Sequence, residues 1–177
     1  FDTESRHMVL LCKNETGYRN LSYMVSQAYI EGFYIRPRID LDLLRAHSEG
    51  LIGLSACLAG EIPRRIINGD YDGAKTYALE MRDILGEGNF YLELQDHGIP
   101  DQTIVNRALL RMHNETGIPL VCTNDAHYLR KEDAESHDVL LCIQTGKTVD
   151  DENRMRYQPQ NFYLRSTQEM EELFSGY

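Results

Sequence analysis

The fold is decided by the stretch Ile118-Pro119-Leu120-Val121-Cys122-Thr123-Asn124-Asp125-Ala126-His127-Tyr128. Its short apolar run, residues 120–122, is typical of a buried strand in a parallel sheet. The chain then turns polar at Asn124, Asp125 and His127. In α/β folds the ligand crevice lies at the carboxyl ends of parallel strands. The stretch therefore predicts a parallel strand that ends in a functional site.

The pair Asp125 and His127 has the spacing and chemistry of metal ligands. Residues two apart on an extended backbone direct their side chains to the same side. A carboxylate oxygen together with an imidazole nitrogen suits Zn²⁺ or Mn²⁺. A second interpretation stays open, in which Asp125 caps the next helix and His127 packs in the core.

Composition places limits on the class of protein. A chain of 177 residues, 42% hydrophobic and 26% charged, has the length and make-up of one globular domain with a sizeable core. Its formal net charge is −10. Neutralising phosphates requires clustered Lys and Arg. We therefore expect that the chain does not bind DNA autonomously.

The cysteines and the hydropathy pattern indicate a cytoplasmic protein. The 4 cysteines are widely spaced, without a CxxC motif, and three lie in apolar runs typical of buried thiols in a reduced compartment. No apolar stretch approaches the roughly 20 residues of a membrane span, and no signal-peptide region is present. The start at Phe1, without Met, favours a piece cut from a longer chain.

Apolar runs alternate with helical patterns along the chain. They predict strands at 8–12, 51–56, 90–94 and 119–123. Helices are predicted at about 17–30 after a cap at Asn14, in a short stretch opened by Asp40 that runs to Ala46, and at 61–67, 71–85, 101–116 and 131–145. Strands that alternate with helices at intervals of roughly 30 to 45 residues indicate parallel strands, right-handed crossovers and outer helices. This predicts an α/β fold, either part of a (β/α) barrel or one side of an open sheet. A polar loop at 150–160, a short strand at 162–164 and a helix capped by Ser166 or Thr167 should follow.

Other predicted strands also end in residues that bind metals. Cys57 follows the second strand, Glu93 lies in the third, and His97 comes just after it. Side chains from separate strand ends converge at one edge of a parallel sheet. The alternatives are a packed Cys57 and a turn at Asp96-His97-Gly98. A carboxylate such as that of Glu93 must face a polar site or find a partner, because an unpaired buried charge is costly.

Five segments carry a resemblance to a known family. They are Leu-Leu-Cys-Lys-Asn-Glu-Thr-Gly-Tyr (10–18), Leu-Ser-Ala-Cys-Leu-Ala-Gly-Glu-Ile (54–62), Phe-Tyr-Leu-Glu-Leu-Gln-Asp-His-Gly (90–98), Thr-Asn-Asp-Ala-His-Tyr (123–128) and His-Asp-Val-Leu-Leu-Cys-Ile-Gln-Thr-Gly-Lys-Thr (137–148). Together they span nearly the whole chain. Through these five segments the chain resembles the PHP (polymerase and histidinol phosphatase) domain of the bacterial DNA polymerase III alpha subunits, which are replicative polymerases. The resemblance implies a distorted seven-stranded (β/α) barrel with a cluster of up to three metal ions.

Site residues and domain limits are also implied by the resemblance. The metal ligands would be His7, Cys57, Asp125 and His127, of which His7 rests on the resemblance alone. Glu93 and His97 would lie near the site, and Asn124 or Glu93 would orient the ligands. Residues 1–149 would form the C-terminal part of a PHP domain. Residues 150–177 would be a connector and the start of the following polymerase region.

The expected cofactor is a divalent ion, Zn²⁺ or Mn²⁺, held weakly or with partial occupancy. Mixed sulfur, oxygen and nitrogen donors suit Zn²⁺ better than Mg²⁺. The family's first His-x-His pair, its Asp-His-Gly motif after the second strand and an upstream Glu ligand are absent from this sequence. Four ligands are enough for one ion but not for a trinuclear cluster.

The resemblance implies three functional hypotheses. The first is part of a metal-dependent phosphoesterase domain that provides 3′–5′ exonuclease proofreading, with DNA and other replisome subunits as partners of the full-length protein. The second is a non-catalytic scaffold that binds subunits, and the third a free-standing PHP-type phosphatase. The palm-domain aspartates of the polymerase are absent, so we expect no DNA synthesis by these residues. Open sheet edges predict association with a neighbouring chain or with upstream sequence.

Overall fold

The computed structural model describes residues 5–177, and its secondary structure has the predicted α/β alternation. The strands are β1 (Val9–Cys12), β2 (Leu51–Leu54), β3 (Phe90–Leu94) and β4 (Leu120–Cys122). The helices are α1 (Glu15–Ile30), α2 (Leu41–Ala46), α3 (Glu61–Ile67), α4 (Tyr71–Leu85), α5 (Pro100–Thr116), α6 (Ala134–Thr145) and α7 (Thr167–Phe174), with a 3₁₀ turn at Lys131–Asp133 before α6. The predicted α/β class is confirmed.

The strands form one open sheet in the order β1-β2-β3-β4. β2 and β3 are parallel, with Gly53 opposite Phe90. β3 and β4 also run in the same direction. The amide of Leu92 donates to the carbonyl of Pro119 at 2.9 Å, and that of Thr123 donates to the carbonyl of Leu94 at 3.0 Å. Three of the four strands thus have the predicted orientation, while closure into a barrel stays a prediction.

The prediction of four parallel strands is wrong for β1. This strand is antiparallel to β2, with Val9 opposite Leu54 and Cys12 opposite Leu51. The reason is the place to which the chain returns and not the number of helices, since α3 and α4 also separate the parallel strands β2 and β3. After α1 the chain returns to the end of β1, where the amide of Lys13 donates to the carbonyl of Gly50 at 2.8 Å. Because β2 starts beside the end of β1, the two strands must run in opposite directions.

A close backbone contact fixes this return path. The side chain of Asn14 caps α1, and its Oδ1 accepts a hydrogen bond from the amide of Gly17 at 3.0 Å. Gly50 has a φ of 75°, in the left-handed region that glycine adopts without strain. A Cβ atom on Gly17 would overlap the carbonyl oxygen of Gly50. The first turn of α1 can therefore rest on the residue that leads into β2 only because both positions are glycine.

The chain forms two compact units, each with its own core. The first takes in the described residues up to Glu93 together with Arg107–Val121. Its core is formed by side chains of the helices and of β2 and β3, among them Met24, Leu44, Leu51, Ile62, Ala78, Met81, Phe90, Leu92, Leu109 and Met112. The second takes in Leu94–Asn106 and Cys122–Tyr177. Its buried side chains include Leu94, Val105, Leu141, Cys142, Phe162 and the polar His97.

Two smaller predictions are corrected by the structure. Cys142 is buried, but Cys12 and Cys122 are exposed, so the expectation of three buried thiols is wrong. Cys12 ends β1, a strand at the edge of the sheet that shows most of its side chains to solvent. The predicted strand at 162–164 is a single parallel bridge between Tyr128 and Tyr163. Among residues 5–177, none of the helices is long and apolar enough to cross a membrane.

Candidate functional site

The end of β4 brings Asp125 and His127 together. Asp125 has a φ of 44°, in the left-handed region that Asp tolerates better than most residues. Its Oδ1 lies 3.3 Å from Nε2 of His127, and both side chains are about one-third exposed, at 34% and 33%. Oxygen and nitrogen ligands that bind one ion at about 2.0–2.2 Å with tetrahedral geometry lie about 3.3–3.5 Å apart. The donor atoms of this pair therefore fit a shared divalent ion.

The alternative interpretation of this pair does not hold. The turn that follows β4 is closed by Asp133, whose Oδ2 accepts from the amide of Arg130 at 2.9 Å. Asp125 is thus not the cap of the next helix. His127 keeps a third of its side chain exposed, so it is not a core histidine.

The imidazole ring of His127 packs against three other aromatic rings. Its ring centroid lies 4.5 Å from that of Tyr157, 5.7 Å from that of Phe162 and 5.8 Å from that of His137. Its amide donates to the carbonyl of Phe162 at 2.7 Å. Contacts from three directions therefore limit the orientations of the imidazole.

His97 is fully buried and hydrogen-bonded at both ring nitrogens. Nε2 lies 2.7 Å from the backbone carbonyl of Asn124, and Nδ1 lies 3.0 Å from Nε2 of Gln102. Its ring also stacks on Phe162, with centroids 4.1 Å apart and 9° between the planes. Burial lowers the pKa of His97, which keeps the ring neutral. The ring thus holds the carbonyl that immediately precedes Asp125.

The turn interpretation of Asp96-His97-Gly98 also describes the structure correctly. Gly98 has a φ of 77°, and its amide donates to Oδ1 of Asp96 at 3.0 Å. His97 is thus both a turn residue and a buried polar group.

The other two residues expected near the site have different surroundings. The side chain of Asn124 accepts from Nη1 of Arg165 at 3.0 Å and donates to the carbonyl of Tyr163. Its amide group therefore holds the segment at 163–165. Glu93 is buried within the first unit, where its backbone amide donates to Oγ of Ser55 at 2.8 Å.

In the first unit, His7 and Cys57 form a second donor pair. Sγ of Cys57 lies 3.5 Å from Nδ1 of His7. The backbone holds this contact, since the amide of His7 donates to the carbonyl of Ala59 at 3.2 Å and His7 bridges Gly60 in parallel register. Sulfur and nitrogen ligands of one tetrahedral ion lie about 3.5–3.6 Å apart. This pair also has the spacing that a shared ion requires.

The four predicted ligands are thus present as two pairs, one within each unit. Among residues 5–177 no three His, Cys, Asp or Glu side chains are grouped so that they could hold an ion. One site built from all four residues stays a prediction. Sequence reasoning missed the rings around His127. Two of these rings, Tyr157 and Phe162, lie in or next to residues 150–160, which were interpreted as a surface loop.

The class of protein is defined by an open α/β sheet with two pairs of metal-binding residue types, Asp125–His127 and His7–Cys57, next to its strands. The profile of the PHP domain family matches residues 1–97, and the chain belongs to this family, whose domains generally bind divalent metals. The chain is also similar to named polymerase subunits over almost its whole length. It is 49% identical to DNA polymerase III subunit alpha of Borreliella burgdorferi, over 97% of this chain and 15% of that protein.

Two further relatives have the same description. Identity is 46% to the subunit of Treponema pallidum, over 97% of this chain and 15% of the relative. It is also 46% to the subunit of Thermus aquaticus, over 93% of this chain and 13% of the relative. The chain thus spans about 15% of the length of the curated relatives it matches. The family resemblance expected from the sequence is confirmed.

Proposed function

We propose that this chain acts in DNA replication as part of the PHP domain of a replicative DNA polymerase, where it binds a divalent metal ion. Asp125 and His127 are the principal ligands, and His7 and Cys57 are a second pair. The observation that carries the proposal is the 3.3 Å separation of Asp125 Oδ1 and His127 Nε2. Residues 1–149 belong to the PHP domain, and residues 150–177 connect it to the polymerase region.

The donor types favour Zn²⁺, with Mn²⁺ as the alternative ion. A thiolate and two imidazoles are ligands that Zn²⁺ prefers, whereas Mg²⁺ requires oxygen ligands. A divalent ion would supply Lewis acidity for cleavage of a phosphodiester bond, and the substrate we propose is the 3′ end of a DNA strand. The chain's own residues keep the ligands in place. His97 binds the carbonyl before Asp125, and the carbonyl of Phe162 binds the amide of His127.

A non-catalytic scaffold is the second candidate. The observation that favours it is a run of exposed large apolar side chains at the end of α1 and just after it. Ile30, Phe33 and Ile35 are 70%, 56% and 79% exposed. Apolar surface of this kind is typical of contacts with other protein. In this case the surface binds further polymerase domains or replisome subunits. A free-standing phosphatase is the weaker alternative, because the relatives above are polymerase subunits.

Calorimetric titration of Zn²⁺ and Mn²⁺ tests the metal proposal. We expect weak binding by the chain and its loss in Asp125→Ala and in His127→Ala. Glu132→Gln, which changes an exposed carboxylate beyond the pair, is the matched control and should bind like the parent chain. If the double variant Asp125→Ala, His127→Ala binds metal as the parent chain does, the proposed site is refuted.

The substrate is tested separately with a 3′-labelled single-stranded oligonucleotide. The catalytic proposal predicts slow release of labelled nucleotide that requires added metal and is absent in Asp125→Ala. Metal binding without any nucleotide release would overturn the exonuclease proposal for this chain and would support the scaffold.

A further inference from the structure

The residues between α6 and α7 cover the ring of His127. We call residues 151–162 the strap. Its Tyr157 contacts three rings at once. The centroid of Tyr157 lies 4.5 Å from that of His127, 5.1 Å from that of His137 and 4.9 Å from that of Phe162. Two of these contacts are nearly perpendicular, at 74° and 87°, a preferred packing for aromatic pairs. The phenol ring therefore packs against His127 and against two of the rings next to it, while a third of the His127 side chain stays exposed.

An ion pair anchors the strap to α6. Nη1 and Nη2 of Arg154 each lie 2.6 Å from an oxygen of Asp138, and the Arg154 side chain is 1% exposed. Nη2 of Arg156 lies 3.6 Å from the same carboxylate. A two-pronged guanidinium–carboxylate contact fixes direction as well as distance. Arg154 therefore sets where the chain passes three residues before Tyr157.

The other end of the strap is held by hydrogen bonds. The amide of Phe162 donates to the hydroxyl of Tyr128 at 3.0 Å. Its carbonyl accepts from the amide of His127, and Nδ2 of Asn161 donates to the carbonyl of His97 at 2.8 Å. The strap is thus attached on both sides of Tyr157. Its position relative to His127 follows from these two attachments.

We infer that Tyr157 is a positioning residue for the proposed metal site, held against His127 by the Arg154–Asp138 ion pair. This inference rests on the proposed function of Asp125 and His127. An imidazole in solvent samples several rotamers, and only some of them direct Nε2 toward Asp125. The Tyr157 ring occupies the space that the other rotamers of His127 require. The His127 side chain therefore loses less rotational freedom when an ion binds. Groups that orient a ligand typically change metal affinity 10- to 100-fold.

The experiment compares Zn²⁺ affinity and the His127 ring in the parent chain, Tyr157→Ala and Tyr157→Phe. We expect Tyr157→Ala to weaken binding by about tenfold or more. Tyr157→Phe keeps the aromatic ring and should bind Zn²⁺ with the affinity of the parent chain. In the metal-free protein the proton resonances of the His127 ring should move in Tyr157→Ala, because the ring current of Tyr157 is lost, and should change little in Tyr157→Phe. Tyr18→Ala, which removes an exposed tyrosine from α1, should alter neither measurement.

Arg154→Lys is the second variant and leaves Tyr157 in the chain. Lysine keeps the charge but cannot form the two-pronged contact, so Zn²⁺ affinity should fall although Asp125 and His127 are unchanged. Parent affinity in both Tyr157→Ala and Arg154→Lys would overturn the inference, as would an equal loss in Tyr157→Phe and Tyr157→Ala. Failure of the proposed function is a different result, namely unchanged Zn²⁺ affinity in the double variant Asp125→Ala, His127→Ala.

Discussion

Nε2 of His97 lies 2.7 Å from the backbone carbonyl of Asn124, the residue before Asp125. A carbonyl only accepts hydrogen bonds, so Nε2 must carry the proton. Nδ1 accepts from the side-chain amide of Gln102 at 3.0 Å. A neutral imidazole has one donor and one acceptor, and both are satisfied here. The buried ring is thereby defined as the Nε2–H tautomer.

The first prediction is that His97 stays neutral under mildly acidic conditions. Burial lowers its pKa below the ordinary value of 6.5. Between pH 6.5 and its lower folded pKa, this residue binds a proton in the unfolded chain but not in the folded chain, so its contribution to stability is complete above pH 6.5 and decreases as the pH falls toward the folded pKa. Long-range ¹H–¹⁵N correlation spectra should show the Nε2–H tautomer at pH 7 and a protonation midpoint below 6.5. A midpoint at or above 6.5 would contradict the buried position of the ring, in which Nδ1 accepts from Gln102.

The second prediction concerns Glu115, whose carboxylate accepts hydrogen bonds from Lys75, Arg111 and Tyr71 at 2.8, 2.6 and 3.0 Å. These contacts, that of Lys75 first, lower the pKa of Glu115 from 4.5 to about 2. A lowered carboxylate pKa stabilises the fold above the ordinary pKa, and the contribution is lost as the pH falls toward the folded value. Glu115→Gln should therefore reduce the dependence of unfolding free energy on pH between about 4.5 and 2.

Urea unfolding at several pH values measures this effect. Glu87→Gln is the control, since Glu87 is exposed and none of the described residues forms an ion pair with it. It should leave the pH profile unchanged. Identical profiles for Glu115→Gln and the parent chain would mean that the cluster does not perturb this carboxylate in solution.

The third prediction is the cost of removing the cap of α1. Asn14→Ala deletes the acceptor for the amide of Gly17. Loss of such a cap destabilises a protein by about 1 kcal/mol. The urea midpoint should fall accordingly, whereas Asn153→Ala, in an exposed loop, should leave it nearly unchanged. Equal midpoints for the two variants would show that the cap contributes nothing.

The fourth prediction is self-association through β1. This strand lies at the edge of the sheet, and its Leu11 side chain is 49% exposed. Exposed edge strands with apolar side chains pair with other chains, and a lysine at the edge opposes that pairing. Sedimentation velocity should show association that increases with concentration and is weaker in Leu11→Lys. Val25→Lys, on α1, is the control. Equal association in both lysine variants would place the contact elsewhere.

Local features could be predicted from the sequence. Asn14, Asp40 and Ser166 cap the helices that follow them, as their side chains and positions indicate. The proximity of Asp125 and His127 was predicted from the period of an extended strand, but Asp125 lies beyond β4 and has a left-handed φ of 44°, so a local turn brings the two side chains together. In each case the deciding interaction lies within a few residues of sequence.

The features that sequence missed depend on distant contacts. The direction of β1 depends on where the chain returns after α1, which no local pattern encodes. The proximity of His7 to Cys57 joins residues 50 apart, so His7 was identified by family resemblance alone. The Arg154–Asp138 ion pair joins residues 16 apart in sequence. The charged residues around Arg154 are equally typical of a solvated surface loop, so the sequence did not predict the pair.

The contact between the backbones of Gly17 and Gly50 determines which changes this part of the chain will accept during evolution. A methyl group at either position would overlap the other segment and push β2 from its place beside β1. The connection between α1 and α2 carries a constraint of the same kind, because a Cβ atom on Gly32 would overlap the carbonyl oxygen of Arg38. Among descendants of this sequence, positions 17, 32 and 50 should therefore all stay glycine.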